Sequence, residues 1–210
     1  MRRDRRPPPR SLAISAGEGD PPDAIGAWVE RVAAAGVEAV EIREKAVPDG
    51  RLLELVCTAV QASAGRLRVL VNGRFDVAMA AGADGVHLPA DGLPTAAVRR
   101  EMGQAATVGR STHAQAEIVG AAEDGADYVT FGPVFATPAK TRFGPPQGLQ
   151  ALRAACSQEL PVLAIGGVTE ERFTELASAG AWGVAAIRLF QAPGEELEDT
   201  VRLIGERFAS

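Results

Sequence analysis

The feature that most limits how this chain can fold is an alternation kept up from Ser11 to the last residues. Short β-rich runs (SLAIS, VEAVEI, LRVLV, DGVHL, TVG, DYVTFG, PVLAIGG and WGVAAI) are separated by alanine-rich segments with helical spacing, such as DAIGAWVERVAAAG and EERFTELASAG. Strands that alternate with helices build a parallel sheet. Eight such units in about 200 residues fit a closed (β/α)₈ TIM barrel at the small end of its range. An internal echo supports this reading. AAGVEAVEI, AAGADGVHL, EDGADYVTF and SAGAWGVAA each run from small or acidic residues through a glycine into a strand. The glycines are Gly36, Gly82, Gly125 and Gly180, at spacings of 46, 43 and 55 residues, about two units each. Glycine suits a left-handed helix cap just before a strand. A doubly wound open sheet would also alternate, but it calls for a phosphate fingerprint after its first strand, and SAGEGDPPD is not GxGxxG.

A length of 210 residues gives one α/β domain with a real core. Residues 11–210 are assigned to the barrel, and MRRDRRPPPR stands apart. Its five arginines and one aspartate give +4 and leave −9 for the rest. This stretch reads as a disordered, basic leader, with a polybasic arm for nucleic acid or anionic lipid as the alternative. No apolar stretch follows it, so it is not a secretory signal. The net charge of −5 argues against nucleic acid as the main partner. No run of eighteen apolar residues offers a membrane span. Cys57 and Cys156 read as buried free thiols of a cytoplasmic protein, too few for a metal site. A homo-oligomer is left open.

In a barrel, strand alternation sorts the side chains, and large aliphatics are expected to face the helices. Val40, Ile42, Val69, Val71, Val86, Leu88, Val108 and Ile14 then point out. Ser15, Glu41, Arg43, Asn72, Arg74, His87 and Ser111 gather as a polar ring at the C-terminal mouth, where barrel enzymes keep their active sites. Packing in the lowest layer is the alternative for any one of them. In AIGGVTEERF, Gly166 and Gly167 lie between strand seven and the next helix, with Thr169 as a candidate cap. Bare N–H groups there, with Arg188 after strand eight, can hold a phosphate. The alternative is a tight turn only. The long loop GPVFATPAKTRFGPPQGL carries Lys140, which either closes over an anionic ligand or stays solvated.

Taken together, EIREK, VNGR followed by FDVA, AGADGVHLP, GRSTH, GADYVTFGPVFAT with Lys140, LPVLAIGG and the GVAA at Gly183 resemble the thiamine phosphate synthase/TenI superfamily. The resemblance spans nearly all of the chain after residue 10. It implies the (β/α)₈ barrel and a phosphorylated thiazole as small-molecule partner, for which Arg43, Lys45, Asn72, Arg74, Ser111 and Lys140 are the candidate contacts. Two branches compete. The synthase branch joins a pyrimidine pyrophosphate to a thiazole phosphate with Mg²⁺. Its metal ligands include aspartates where this chain has Gly73 and Gly92; Asp91 is shifted by one residue. Glu41 stands where the synthase usually has glutamine, and a carboxylate there repels a pyrophosphate.

The TenI branch resembles the chain at those departures and includes a metal-independent thiazole tautomerase, which shifts a proton in a carboxythiazole phosphate. The expectation is therefore a tautomerase-like isomerase with no metal or other cofactor. The alternatives are a synthase with an altered Mg²⁺ site and a non-catalytic thiazole-phosphate binding or regulatory protein. The tautomerase's proposed acid/base histidine falls at Pro133, which cannot move a proton. His87, His113 and Glu41 remain as candidates, and His87 and Glu41 are preferred.

Overall fold

The computed structural model describes residues 6–136 and 145–209. It is a closed barrel of eight parallel strands in chain order. The strands and helices alternate as β1 (Ser11–Ile14), α1 (Pro22–Ala34), β2 (Ala39–Ile42), α2 (Asp49–Ser63), β3 (Arg68–Asn72), α3 (Phe75–Ala81), β4 (Gly85–Leu88) and α4 (Thr95–Met102). The second half continues β5 (Thr107–Thr112), α5 (Gln115–Glu123), β6 (Tyr128–Phe131), α6 (Gly148–Cys156), β7 (Val162–Ile165), α7 (Phe173–Ser178), β8 (Gly183–Ala186) and α8 (Gly194–Arg207). Short 3₁₀ turns, Glu170–Arg172 and Arg188–Gln191, precede α7 and α8. Among the described residues no helix is long and apolar enough to cross a membrane.

The strands divide the apolar side chains between two cores. Val40, Ile42, Val69, Val71, Val86, Leu88 and Val108 pack outward against helix residues such as Trp28, Val29, Leu55 and Phe173. A smaller inner core holds Leu12, Ile14, Ala39, Leu70, Tyr128, Leu163 and Ala185. Ile14 thus corrects the expectation that it faces the helices. In β1 the outward position is taken by Ala13, and the two large aliphatics fill the barrel. Each fully buried Leu or Ile contributes about 1.5–3 kcal/mol.

The four echo glycines each have positive φ: 88° at Gly36, 69° at Gly82, 84° at Gly125 and 92° at Gly180. Each ends a helix in the left-handed conformation that a Cβ disfavours, so the recurrent glycine marks a recurrent helix-to-strand turn. Arg99, a buried residue of α4, anchors one of these turns. It pairs with Asp127 at 2.7 Å and donates to the carbonyls of Gly103, Ala106 and Gly125.

The end of the basic leader lies against the barrel floor. Arg68 donates to the Pro7 carbonyl at 2.8 Å, and Trp182 Nε1 to that of Pro8 at 3.1 Å. The Arg10 guanidinium stacks 4.0 Å over the Trp182 ring. Residues 7–10 therefore belong with the barrel, because the carbonyls of Pro7, Pro8 and Arg10 find donors in Arg68, Trp182 and the Val184 N–H; residues 1–5 of the expected disordered leader lie outside the described residues. Cys57 and Cys156 are free and half-buried rather than fully buried, and burial pushes the Cys156 thiol up to about 12.

Candidate active site at the barrel mouth

Register sets the inner polar row. Asn72 of β3 pairs with His87 of β4, His87 with Gly109 of β5, and Gly109 with Tyr128 of β6. Inward side chains on and next to this row meet inside the barrel. Asn72 Nδ2 donates to Glu41 Oε1 at 2.6 Å. His87 Nδ1 lies 3.1 Å from the Tyr128 hydroxyl, and Nε2 lies 3.0 Å from Ser111 Oγ and 3.3 Å from Thr130 Oγ1. Gly109 makes room for this row. A Cβ built there would stand 2.2 Å from Tyr128 Cζ and 2.6 Å from His87 Nδ1. The structure thus brings together Glu41, Asn72, His87 and Ser111 as alternation predicts, and adds Tyr128 and Thr130. The same signal was available for these two, because Val129 and Phe131 of YVTF face outward.

Both ring nitrogens of His87 are occupied and the side chain is buried, with desolvation pushing its pKa below 6.5 against a smaller opposing pull from Glu41. It is a neutral, hydrogen-bonded imidazole. His113 is exposed, with Nδ1 2.6 Å from the Gly132 carbonyl oxygen and its N–H donating to Glu117. Ser15 is not in the row. Its hydroxyl donates to Glu44 Oε1 at 2.7 Å and accepts the Arg43 N–H at 2.8 Å, while Glu44 also accepts the N–H groups of Gly17 and Gly19. Buried Glu44, absent from the expected set, therefore clasps the loop after β1 to the end of β2.

The expected cations separate into two groups. Arg43 is half-buried and Lys45 and Arg188 are exposed, and no ion pair engages them among the described residues. Arg74 is paired with both Asp49 and Asp76. It is thus committed to neighbours that alternation alone does not reveal. Lys140 lies outside the described residues.

At the glycine pair of the β7 loop, φ is 93° at Gly166 and 65° at Gly167. A Cβ on Gly166 would meet Pro133 at 2.5 Å, and one on Gly167 would meet Ala136 O and Phe135 Cβ at 2.8 Å. The loop after β6 is thus seated on them, with the Phe135 N–H donating to the Gly166 carbonyl at 3.0 Å. The N–H groups of Gly166, Gly167 and Val168 donate to no described backbone group. That leaves a row of donors at the end of β7, the strand next to β8, chemically suited to an anion.

The residues where the synthase branch would hold Mg²⁺ do not fit that ion. Mg²⁺ requires near-octahedral oxygen ligation. Gly73 and Gly92 bring no ligand, and Pro89 occupies the space beside them. A Cβ on Gly92 would lie 2.9 Å from Pro89 Cδ and Cγ, and one on Gly73 would lie 3.5 Å from Pro89 Cδ. Asp91 is exposed. Among the described residues no three His, Cys, Asp or Glu side chains converge on a metal position. Arg110, also unforeseen, fastens this loop by donating to the carbonyls of Ala90 at 2.9 Å and Leu93 at 2.8 Å.

Comparison with known proteins agrees with the fold and corrects the activity. A family described as thiamine monophosphate synthase matches residues 12–190. A putative thiamine-phosphate synthase of Geobacter sulfurreducens is 43% identical over 164 residues, covering 77% of this chain and 76% of its own. A thiamine-phosphate synthase of Methanoculleus marisnigri is 41% identical over 183 residues, covering 85% of each. The solved structure of thiamine phosphate pyrophosphorylase from Pyrococcus furiosus superposes with a TM-score of 0.81 at 28% identity, covering 94% of this chain and 96% of its own. These relatives carry transferase names, and they overturn the expectation of a TenI-type tautomerase and isomerase. Gly73 and Gly92 alone do not mark the isomerase branch. The likeness over the rest of the barrel runs to synthases. With the isomerase falls the reason for casting His87 and Glu41 as its acid and base.

Proposed function

We propose that the chain, which belongs to the thiamine monophosphate synthase family, is a transferase that joins a pyrimidine pyrophosphate to a thiazole phosphate. One bond forms between the halves as the bond to pyrophosphate breaks, and pyrophosphate leaves with the electron pair. The observation that carries this reading is the 41% identity to a named thiamine-phosphate synthase over 85% of both chains. The mouth supports it. The N–H groups of Gly166 and Gly167, with Arg188, suit the thiazole phosphate. Arg43 and Lys45, unpaired among the described residues, suit the diphosphate. Asn72, whose amide N–H is turned to Glu41, holds that carboxylate at the edge of the row and keeps it from facing the diphosphate unpaired. No donor set at Gly73 and Gly92 supplies a metal, so the chain's own cations carry the charge compensation assigned to it here.

A second reading has one observation in its favour. The Pro89 ring beside Gly73 and Gly92 suits a thiazole-phosphate binding protein that no longer turns over. Mixing the chain with both half-substrates and following thiamine phosphate by mass spectrometry separates the two. Product accumulating beyond one equivalent of protein is expected. Tight binding of the thiazole phosphate with no product would give the second reading.

A further inference from the structure

The inner row contains a phenol that no step above uses. Tyr128 is completely buried, and its hydroxyl has a single hydrogen-bond partner among the described residues, His87 Nδ1 at 3.1 Å. A buried phenol has one proton to place. With one partner in reach, the O–H donates to Nδ1, which must then be the unprotonated nitrogen. The neutral imidazole therefore carries its proton on Nε2. That N–H points at Ser111 Oγ, 3.0 Å away, and at Thr130 Oγ1. Thr130 Oγ1 in turn donates to Ser111 Oγ at 3.5 Å. Ser111 Oγ thus accepts from two protein donors, and no described protein group accepts its own proton. Ser111 is half-buried, whereas Tyr128, His87 and Thr130 are buried, so the open direction for that proton is the barrel mouth.

We infer that Tyr128 is a positioning residue: through His87 it fixes Ser111 as a hydrogen-bond donor aimed at an anionic or carbonyl-type oxygen of the bound substrate. Burial supports the assignment, since desolvation holds the phenol protonated and the imidazole neutral. The geometry depends on Gly109, because any Cβ there would displace the Tyr128–His87 pair. Without the phenol, His87 is free to take the other tautomer, with its proton on Nδ1. Nε2 would then accept from Ser111, turning the serine proton inward and away from the substrate. That Ser111 serves the transfer rests on the synthase reading; the tautomer does not.

The test has one arm for each part. The chain has two histidines, so ¹⁵N-edited spectra of the ring nitrogens are readily assigned with His113→Gln as reference. In the unliganded full chain His87 is expected as the Nε2–H tautomer. In Tyr128→Phe that signature is expected to shift toward Nδ1–H or to a mixture. An Nδ1–H tautomer in the wild type, or an unchanged signature in Tyr128→Phe, overturns the relay whatever the reaction is. In the coupling assay, Tyr128→Phe is expected to lower kcat about tenfold with little change in KM. Ser111→Ala is expected to lower kcat by a similar or larger factor, and the double variant to fall no further than Ser111→Ala alone. Factors that multiply in the double variant would overturn the action of Tyr128 through Ser111. Should Tyr128→Phe not fold, Gly109→Ala, which displaces the same pair, and Ser111→Ala, which keeps it, provide the comparison. The tautomer change is expected in the first and not in the second.

Discussion

Arg43 ends β2 as a half-buried cation whose guanidinium has no ion-pair partner among the described residues, while Arg153 is an exposed residue of α6. A charge-assisted contact in a partly desolvated site is worth about 1.5–3 kcal/mol, against under about 1 kcal/mol for an exposed charge. Arg43→Ala is therefore expected to weaken pyrophosphate binding by roughly tenfold to a hundredfold, and Arg153→Ala to leave it nearly unchanged. Calorimetry of the two variants checks this; equal affinities would contradict the placement of Arg43 at the mouth. His87 bears on stability in another way. Desolvation lowers its folded-state pKa beneath the 6.5 of the unfolded chain. Above pH 6.5 both states hold it neutral and its contribution is intact. As pH falls below 6.5 the unfolded state takes up the proton first, so stability declines down to the folded pKa, by at most about 1.4 kcal/mol per pH unit. Urea unfolding at pH 7.5 and 5.5 is expected to show a larger loss for the wild type than for His87→Gln.

At the scale of elements, the turn between β4 and α4 is packed around a proline. Pro89 packs where a side chain at position 92 would begin, and Arg110 ties the same turn to β5. Gly92→Asp therefore overpacks the turn and is expected to cost about 1–3 kcal/mol. Adding Pro89→Gly is expected to recover most of that loss, as read by thermal unfolding. An unaltered melting temperature for Gly92→Asp alone would show that the proline yields freely. The sequence made these elements legible because period-two alternation and the repeated glycine cap are local signals. Neither signal reports what lies across the barrel. Arg74 reads as a mouth cation until Asp49 and Asp76 are seen beside it, and Ser15 reads as a ring member until Glu44 claims it. Ile14 departs from the expectation because side-chain size does not choose the face in β1, which turns its small residue, Ala13, toward the helices.

For the whole molecule, the two ends of the barrel differ in make-up. Residues 7–10 lie against the floor, with Arg68 and Trp182 binding the carbonyls of Pro7 and Pro8. The mouth collects the polar row, the glycine donors of the β7 loop and the cations of the β2 and β8 ends. The fold was legible because eight strand–helix units leave few other arrangements. The reaction was not, because the two glycines at one edge of the mouth point away from a Mg²⁺-dependent synthase, whereas the similarity to a named synthase runs over 85% of the chain. The most direct measurement is the stoichiometry of the two products with both half-substrates supplied in excess. The transferase assignment predicts that pyrophosphate and thiamine phosphate appear in equal amounts, over many equivalents of protein. Binding of both half-substrates with neither product rising above the protein-free control would contradict it.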